Sequence, residues 1–383
     1  MTIKQSMPIR FSILYFLFFL MIGTYGPFWP VWLLSINFSP QLIATALALA
    51  TIFKIIIGPL LASLNDKQNN NNVIIFYISL LSTLTFFSIL LLSQNKDSSK
   101  LLIVILGCLA WGLFSSTLPL LEAKTLLITQ KKSLDYGKIR LWGSISFIIA
   151  ALVVGFLIEN TNKNIIIILV LIFSFITTIA VYYTPNNKIK NKKQAIKPFY
   201  SLIKTPNLLL VFLCCGFIQA SHSFYYAFSS IEWLKNGLSS SFIGFCWALG
   251  VFAEIILFAF FANKLKTLSP KILLKFAAII TIFRWIILSL SSSPLWIIIA
   301  QLGHAGSYGI THLAAIYFIS KNISKESQTS AQSIYASISM GIFPAIFINF
   351  CGILYSSGEA NLGYLCMTIL AVTGFLLSSK LKP

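Results

Sequence analysis

The stretch LPLLEAKTLLITQKKSLDYGKIRLWGSIS, from Leu118 to Ser146, decides the fold because it joins the end of one long apolar run to the start of the next. A short basic link separates the two runs, and each run is long enough to cross a bilayer as a helix. Glu122 and Arg140 are therefore predicted to face each other, as an acid and a base, from neighbouring transmembrane helices. Ionisable groups at such depth are candidates for a functional role.

The composition of the whole chain predicts a polytopic membrane protein. The 383 residues are 57% hydrophobic and 10% charged, and the mean hydropathy is +0.86. Such a chain cannot hide its apolar surface in a water-soluble core. The net charge of +19 would suit a nucleic-acid-binding protein, but the lysines lie in the links between apolar runs. Loops beside a membrane explain that pattern better, so we expect no nucleic-acid partner.

No motif for a cofactor, a metal or an enzyme is found in the sequence. The six cysteines lie inside apolar runs and lack the spacing of metal ligands, which indicates packing residues. No Walker-type phosphate loop, zinc-ligand spacing or nucleophile elbow occurs. The sequence therefore predicts neither ATP hydrolysis nor an enzyme, and no cofactor.

Twelve apolar runs follow one another along the chain, each near the ~20 residues that a helix needs to span the hydrocarbon. The first run has no small-residue cleavage site and exceeds the core of a signal peptide, so we expect it to remain as the first helix. The spacing predicts an all-α membrane protein with an N-terminal six-helix bundle over 1–184, a basic linker over 185–206 and a C-terminal six-helix bundle over 207–383. The runs lie at about 11–35, 40–65, 73–94, 101–128, 137–158, 164–184, 207–234, 240–262, 270–292, 294–320, 328–356 and 361–379.

The distribution of basic residues predicts the orientation in the membrane. When alternate links are assigned to opposite sides, the side that holds both termini and the central linker carries nineteen lysines and arginines, and the other side carries four. Cytoplasmic loops carry an excess of Lys and Arg. We therefore expect both termini and the linker to be cytoplasmic, and the protein to lie in a bacterial inner membrane.

Several stretches carry a likeness to a known family. The first helix contains GTYGPFWPVWL over 23–33, the fifth begins with the stretch 134–144, and the second half opens with the aromatic stretch 219–233. These stretches resemble the major facilitator superfamily, in particular the 3-phenylpropionate permeases and, more distantly, the lactose permease type of proton symporter. The resemblance implies two six-helix bundles that give a solute alternating access to the two sides of the membrane.

The same resemblance implies which residues contact the solute. In the lactose permease branch, an acid like Glu122 and an arginine like Arg140 bind substrate at the same separation. The aromatic stretch of the second half contains His222 and Tyr225, which we also expect at the substrate site.

A second group of ionisable residues lies in the second half. Glu254, Arg284 and His304 are each surrounded by residues that give no reason for a charge. In the lactose permease branch, positions like these couple protons to sugar. Ser307 stands where the sugar symporters have an acid and His222 where they have another, so Glu254 is the only acid expected deep in this half.

Each of these residues also has a structural interpretation. A glutamate or arginine at mid-membrane costs about 2.5–3.5 kcal/mol on insertion scales, which disfavours a role in packing alone but leaves structural ion pairs open. The histidines cost less, and a neighbouring hydroxyl or carbonyl is enough to satisfy them.

The link after the second helix resembles a degenerate form of the superfamily's cytoplasmic motif. It keeps Asp66 and the neighbouring Lys67 but lacks the usual glycines and arginines. An acid at this position can cap or bridge neighbouring helix ends and hold one face closed, which predicts a gating role. A solvated turn is the alternative.

Taken together, the residues and the resemblance predict a secondary transporter, a proton symporter of a small aromatic carboxylate such as 3-phenylpropionate. An anionic solute needs a cation, which Arg140 or Arg284 could supply, and an aryl group needs apolar walls. A sugar or nucleoside symporter is the alternative, because Glu122 with Arg140 would serve hydroxyls equally well. A membrane-embedded transferase is a further alternative, although no polar catalytic loop supports it. The expected partners are the solute, protons and the lipid bilayer, with a monomer as the functional unit.

Overall fold

The described residues of the first half of the chain form six long helices. The computed structural model describes residues 3–67, 71–95, 98–184, 202 and 204–381, and within these ranges it contains helices and no strand. Apolar runs of this length form helices because a bilayer offers no water to satisfy backbone N–H and C=O groups. The helices of the first half are α1 Ile3–Ser35, α2 Pro40–Lys67, α3 Asn71–Ser93, α4 Lys100–Lys132, α5 Tyr136–Asn160 and α6 Ile165–Tyr182.

The helices of the second half are more often interrupted. They are α7 Leu208–Ala220, α8 Ser223–Lys235, α9 Ser240–Ile256, α10 Ala262–Leu265, α11 Pro270–Leu290, α12 Pro294–Leu302, α13 Ile310–Asn322, α14 Gln328–Ser337, α15 Phe343–Ser356 and α16 Ala360–Ser379. Three π-helical segments interrupt the spans that contain α9, α13 and α14, at Leu257–Phe261, Ala305–Gly309 and Ile338–Ile342. A short 3-10 helix, Lys325–Ser327, precedes α14.

The helical stretches agree with the spans predicted from the sequence. In the part of the chain that the structure describes, eleven of them are long and apolar enough to cross a membrane. The stretch predicted at 294–320 is helical as α12 and α13 but is not among the eleven. Its middle carries the polar residues Gln301, His304 and Ser307, and a turn at Gly303 separates α12 from the helical residues that follow.

The chain folds into two compact units. Unit 1 comprises Met1–Phe38, Leu49–Asn191 and Ser239–Ala248. Unit 2 comprises Ser39–Ala48, Lys192–Leu238 and Leu249–Pro383. Unit 1 therefore includes a short segment from the second half of the sequence, Ser239–Ala248, and unit 2 includes a short segment from the first half, Ser39–Ala48.

Unit 1 is built around α1, which packs against α5 and α6, while α3 packs against α4 and α6. The ring of Tyr25 stacks on Trp111 with a centroid separation of 4.0 Å and on Trp29 at 4.8 Å. Asp135 caps α5, since its side chain accepts a hydrogen bond of 3.2 Å from the backbone N–H of Lys138. This cap fixes the start of α5 at Tyr136, four residues before Arg140.

Unit 2 packs α11 against α16 and α13, and α7 against α16, α13 and α15. Two interruptions of these helices lie beside the polar residues described below. The first separates α7 from α8 at Ser221–His222. The second lies at Gly303, where an added Cβ would stand 2.9 Å from the Cγ and Cδ atoms of Arg284. Glycine is needed at this position because the arginine side chain approaches the backbone closely.

Candidate functional site

Among the described residues, Arg284 is the most deeply buried cation of unit 2, and all of its hydrogen-bond partners are neutral. Arg284 lies on α11 and is 2% exposed. Nε donates to the carbonyl oxygen of Ala300 over 2.7 Å, and Nη1 donates to His222 Nε2 over 3.1 Å and to the Ser307 hydroxyl. Neither of the two ion pairs found in the described part of the chain includes Arg284, and Glu254 acts on it only at longer range. The guanidinium is thus a buried charge without a carboxylate in direct contact.

The aromatic rings beside Arg284 complete its immediate surroundings. Its Cζ atom lies 4.6 Å from the ring centroid of Trp285 and 5.6 Å from that of Tyr225. Such cation–π contacts stabilise a guanidinium but do not neutralise its charge. The indole N–H of Trp285 donates to Ser221 over 2.9 Å, so this ring is fixed in turn.

His222 is held in its neutral form by its hydrogen bonds. Its Nδ1 lies 3.0 Å from the carbonyl oxygen of Ile218, and its Nε2 lies 3.1 Å from Nη1 of Arg284. A guanidinium can only donate, so Nε2 accepts and the ring proton resides on Nδ1, which donates to the carbonyl. His222 therefore orients Arg284 and carries no positive charge in this arrangement.

Among the described residues of unit 2, Glu254 and His304 form an acid–imidazole pair. Glu254 Oε1 lies 3.1 Å from His304 Nε2, and the two side chains are 19% and 10% exposed. Glu254 lies on α9, and His304 directly precedes the π segment Ala305–Gly309. The rings of His304 and His222 lie 5.7 Å apart, so the pair is adjacent to the Arg284 cluster. The structure thus brings together the three residues predicted to couple protons, although Arg284 contacts His222 and not Glu254.

Gln301 is a member of this cluster that the sequence analysis missed. Its side-chain oxygen accepts a hydrogen bond of 3.1 Å from the hydroxyl of Tyr225, which was predicted at the substrate site. The signal that could have found it is a glutamine within an apolar helix, three residues before His304.

Glu122 and Arg140 meet in unit 1, as predicted from the opening stretch of sequence. Arg140 Nε lies 3.5 Å from Glu122 Oε1, and the side chains are 30% and 34% exposed. The guanidinium lies 4.0 Å from the ring centroid of Phe19, and Lys54 acts on Glu122 electrostatically. This pair is a satisfied and partly exposed ion pair.

The second half contains a further acid, which the sequence analysis did not single out. Glu232, near the end of α8, is buried, and its carboxylate accepts hydrogen bonds from Tyr355 over 2.8 Å and from Asn236 over 3.1 Å. From the sequence alone, the position of Glu232 near a helix end predicts that its side chain is exposed. The tyrosine from α15 covers it, which only the packing of the helices reveals.

Asp66 and Lys67, predicted to act in gating, end α2. Their side chains lie outside the part of the chain whose side chains the structure describes. The gating role stays a prediction.

The helical architecture and its buried polar clusters define a multi-pass membrane transporter of the major facilitator type. The chain belongs to the MFS_1 like family, whose profile matches residues 8–366. It is 28% identical over 372 residues to the "Probable 3-phenylpropionic acid transporter" of Escherichia coli (strain K12), with 96% of each chain covered. It is also 28% identical over 283 residues to the "Uncharacterized transporter YwbF" of Bacillus subtilis (strain 168), covering 72% of this chain and 69% of that protein.

Solved structures show the same fold. The crystal structure of the nucleoside transporter NupG matches with a TM-score of 0.80 at 16% identity, over 98% of this chain and 100% of that one. An inward-facing, occupied structure of a bacterial homologue of the human lysosomal transporter Spinster matches with a TM-score of 0.72 at 13% identity, over 99% and 97%. At these identities the likeness shows the fold alone. The matched proteins are transporters, and the chain is a transporter and not an enzyme.

Proposed function

We propose that this protein is a proton-coupled secondary active transporter of a small aromatic carboxylate such as 3-phenylpropionate. The observation that carries the proposal is the buried guanidinium of Arg284, whose hydrogen-bond partners are all neutral. The named relative in Escherichia coli, a probable transporter of 3-phenylpropionic acid, supports the same class of solute.

A carboxylate is the ligand that best suits Arg284. Burying a charge without a counter-ion is costly, and an arginine binds a carboxylate with two parallel, charge-assisted hydrogen bonds. The rings of Tyr225 and Trp285 lie against the guanidinium, so the surroundings of this cation are aromatic, as an aryl group of the same solute requires. An anion with one aromatic ring therefore matches both the charge and the walls of this cluster.

Proton coupling is assigned to Glu254 and its partner His304. A carboxyl takes up a proton more readily in a dry pocket and loses it more readily beside a cation. At 3.1 Å the Glu254 carboxylate can accept a hydrogen bond from His304 Nε2, and separating the two side chains would remove this partner and favour the protonated carboxyl. Alternating access that breaks and remakes this contact would load and release one proton per cycle.

A symporter of a sugar or nucleoside is the second candidate, and the Glu122–Arg140 pair favours it. Both side chains are about one third exposed, and together they present acceptors and donors of the kind that bind hydroxyl groups. This candidate predicts that solutes rich in hydroxyls bind and that arylcarboxylates do not.

Uptake into proteoliposomes tests the proposal. Purified protein is reconstituted, an inwardly directed proton gradient is imposed, and accumulation of radiolabelled 3-phenylpropionate is compared with that of uridine and lactose. We expect accumulation of the arylcarboxylate above its external concentration, with loss of accumulation when a protonophore is added. Accumulation of uridine or lactose alone would favour the second candidate.

The remaining features of the proposed transporter rest on the sequence. We propose bundles over 1–184 and 207–383, a cytoplasmic linker over 185–206, cytoplasmic termini, residence in a bacterial inner membrane, and a functional monomer. The excess of basic residues on one set of links supports this orientation.

A further inference from the structure

Unpartnered polar atoms are concentrated at one place in unit 2. Among the described residues, six buried side-chain nitrogen or oxygen atoms have no hydrogen-bond partner. Three of the six belong to neighbouring residues of the cluster described above: Arg284 Nη2, Gln301 Nε2 and His304 Nδ1. These residues are 2%, 0% and 8% exposed. A buried polar group without a partner costs about 1–3 kcal/mol and more if charged, so such a concentration needs an explanation.

The amide of Gln301 has a fixed orientation. The Tyr225 hydroxyl donates to its oxygen over 3.1 Å, which leaves the NH₂ group as the free end of the side chain. The preceding residue, Ala300, accepts the 2.7 Å hydrogen bond from Arg284 Nε. Arg284 therefore contacts the residue next to Gln301, and each of these two side chains has one NH₂ group without a hydrogen-bond partner.

Two NH₂ groups in one buried cluster, one of them charged, suit the two oxygens of a carboxylate. We propose that Arg284 Nη2 and Gln301 Nε2 bind the carboxylate of the transported solute, which makes Gln301 a specificity-determining residue. This inference rests on the proposed function and adds to it the second donor and the basis of selectivity. The third atom, His304 Nδ1, belongs to the ring that pairs with Glu254 and is left to the proton pair.

The two donors predict discrimination between an acid and its neutral analogues. A carboxylate accepts from both nitrogens, whereas the amide of the same skeleton has one acceptor oxygen and no charge, and the alcohol has a single hydroxyl. A site built from buried donors rejects solutes that leave those donors unpaired. The transporter should therefore prefer 3-phenylpropionate over 3-phenylpropionamide and 3-phenylpropan-1-ol.

Gln301→Glu is the sharpest test because it changes little except the donor. The new side chain has nearly the same shape, keeps an oxygen that accepts from Tyr225, and replaces the NH₂ group with an oxygen that repels a carboxylate. It also stands beside Arg284 as a counter-ion, so the fold should be retained and the melting temperature should not fall. Binding of 3-phenylpropionate, measured by isothermal titration calorimetry, should weaken by about 10- to 100-fold, while binding of the amide should change by less than about 3-fold.

Matched variants keep the result interpretable. Gln301→Met removes both polar groups at similar volume, and it should also lose the preference for the acid. Gln328→Glu makes the same chemical change at a glutamine whose amide donates to the backbone of Ser320 and Ile323, and it should leave the preference intact.

The outcomes separate this inference from the proposed function. If the unchanged protein binds 3-phenylpropionate and both Gln301 variants bind it equally well, the two-donor site is wrong and arylcarboxylate transport stands. If the unchanged protein binds nucleosides or sugars and no arylcarboxylate, the proposed function fails, and this inference fails with it.

Discussion

Each half of the chain has an arginine within an apolar helix, but only one of the two arginines has an anionic partner in contact. Arg140 in unit 1 is 30% exposed and lies 3.5 Å from the carboxylate of Glu122. Arg284 in unit 2 is 2% exposed and donates only to a carbonyl, an imidazole and a hydroxyl. The first arginine already has its anion, whereas the second still lacks one. The burial of an arginine alone therefore does not indicate an anion site. Such a site is indicated when the partners of the buried arginine include no anion.

The largest effect is expected from removing Arg284. Arg284→Ala should weaken binding of 3-phenylpropionate by on the order of 100-fold or more, because a buried charge–charge contact with the solute disappears. Isothermal titration calorimetry on purified protein measures the loss, and size-exclusion profiles check that the variant remains folded.

Arg140→Ala is the matched control for this comparison. Its arginine already pairs with Glu122, so we expect a loss of less than about 10-fold. If Arg140→Ala abolished binding and Arg284→Ala did not, the anion site would have to be moved to unit 1.

The second effect concerns the proton. Glu254→Gln keeps an oxygen that can accept from His304 but cannot release a proton. We expect proteoliposomes with this variant to exchange labelled for unlabelled 3-phenylpropionate and to lose accumulation driven by a pH gradient.

Glu232→Gln provides the control for Glu254, because it neutralises a different acid of unit 2 that is also removed from solvent. Its carboxylate is bonded to Tyr355 and Asn236 and has no cationic partner within reach among the described residues. Accumulation should survive this change. Proton-linked accumulation by the Glu254→Gln variant would instead place the proton site elsewhere, with His304 the next residue to test.

A smaller effect is expected from Tyr225→Phe. The change removes the hydroxyl that orients the Gln301 amide, which should weaken carboxylate binding by about 3- to 10-fold, the worth of one neutral hydrogen bond. Tyr364→Phe is a matched control, since that buried hydroxyl bonds to Ser229 at 2.6 Å and does not contact Gln301. Equal losses in the two variants would mean that the effect is on the fold and not on the amide.

The smallest effect concerns stability in unit 1. Arg140→Gln leaves the Glu122 carboxylate without its cation, and because the pair is partly exposed we expect the melting temperature to fall by about 2–4 °C. The double change Glu122→Gln with Arg140→Gln should restore most of that loss. A fall that the double change does not reverse would show that Arg140 stabilises unit 1 by packing against Phe19 and not by pairing.

The sequence predicted the helices well because their bounds depend on local hydrophobicity. The predicted runs 40–65, 137–158 and 328–356 correspond to helices over 40–67, 136–160 and 328–356. Glu122 and Arg140 were also predicted to meet, since a short link forces α4 and α5 to be neighbours. Apolar length and link length are both local properties that a single sequence displays.

The partners of Arg284 could not be predicted, because they come from residues far apart in the chain. His222 reaches it from the turn between α7 and α8, Ala300 from α12 and Ser307 from the π segment Ala305–Gly309. The choice of these partners depends on how the surrounding helices are rotated. The same holds for Glu232, which appears exposed in the sequence until the ring of Tyr355 is placed over it. The role of Gln301 was missed because an uncharged amide gives no electrostatic signal in the sequence.

The π segment Ala305–Gly309 rotates the helical residues that follow it, about the helix axis, relative to those that precede it. A π turn holds one residue more than an α turn, so everything after it is rotated by about 100° relative to a continuous α-helix. His304 lies before the π segment and His312 after it, and the latter contacts Tyr335 over 3.4 Å. No substitution removes an extra residue, so scanning this stretch with alanine leaves the added rotation in place. Only a deletion within Ala305–Gly309 removes this added rotation. Deleting one residue would rotate the whole of α13 about its axis, so that it presents a different face to its neighbours.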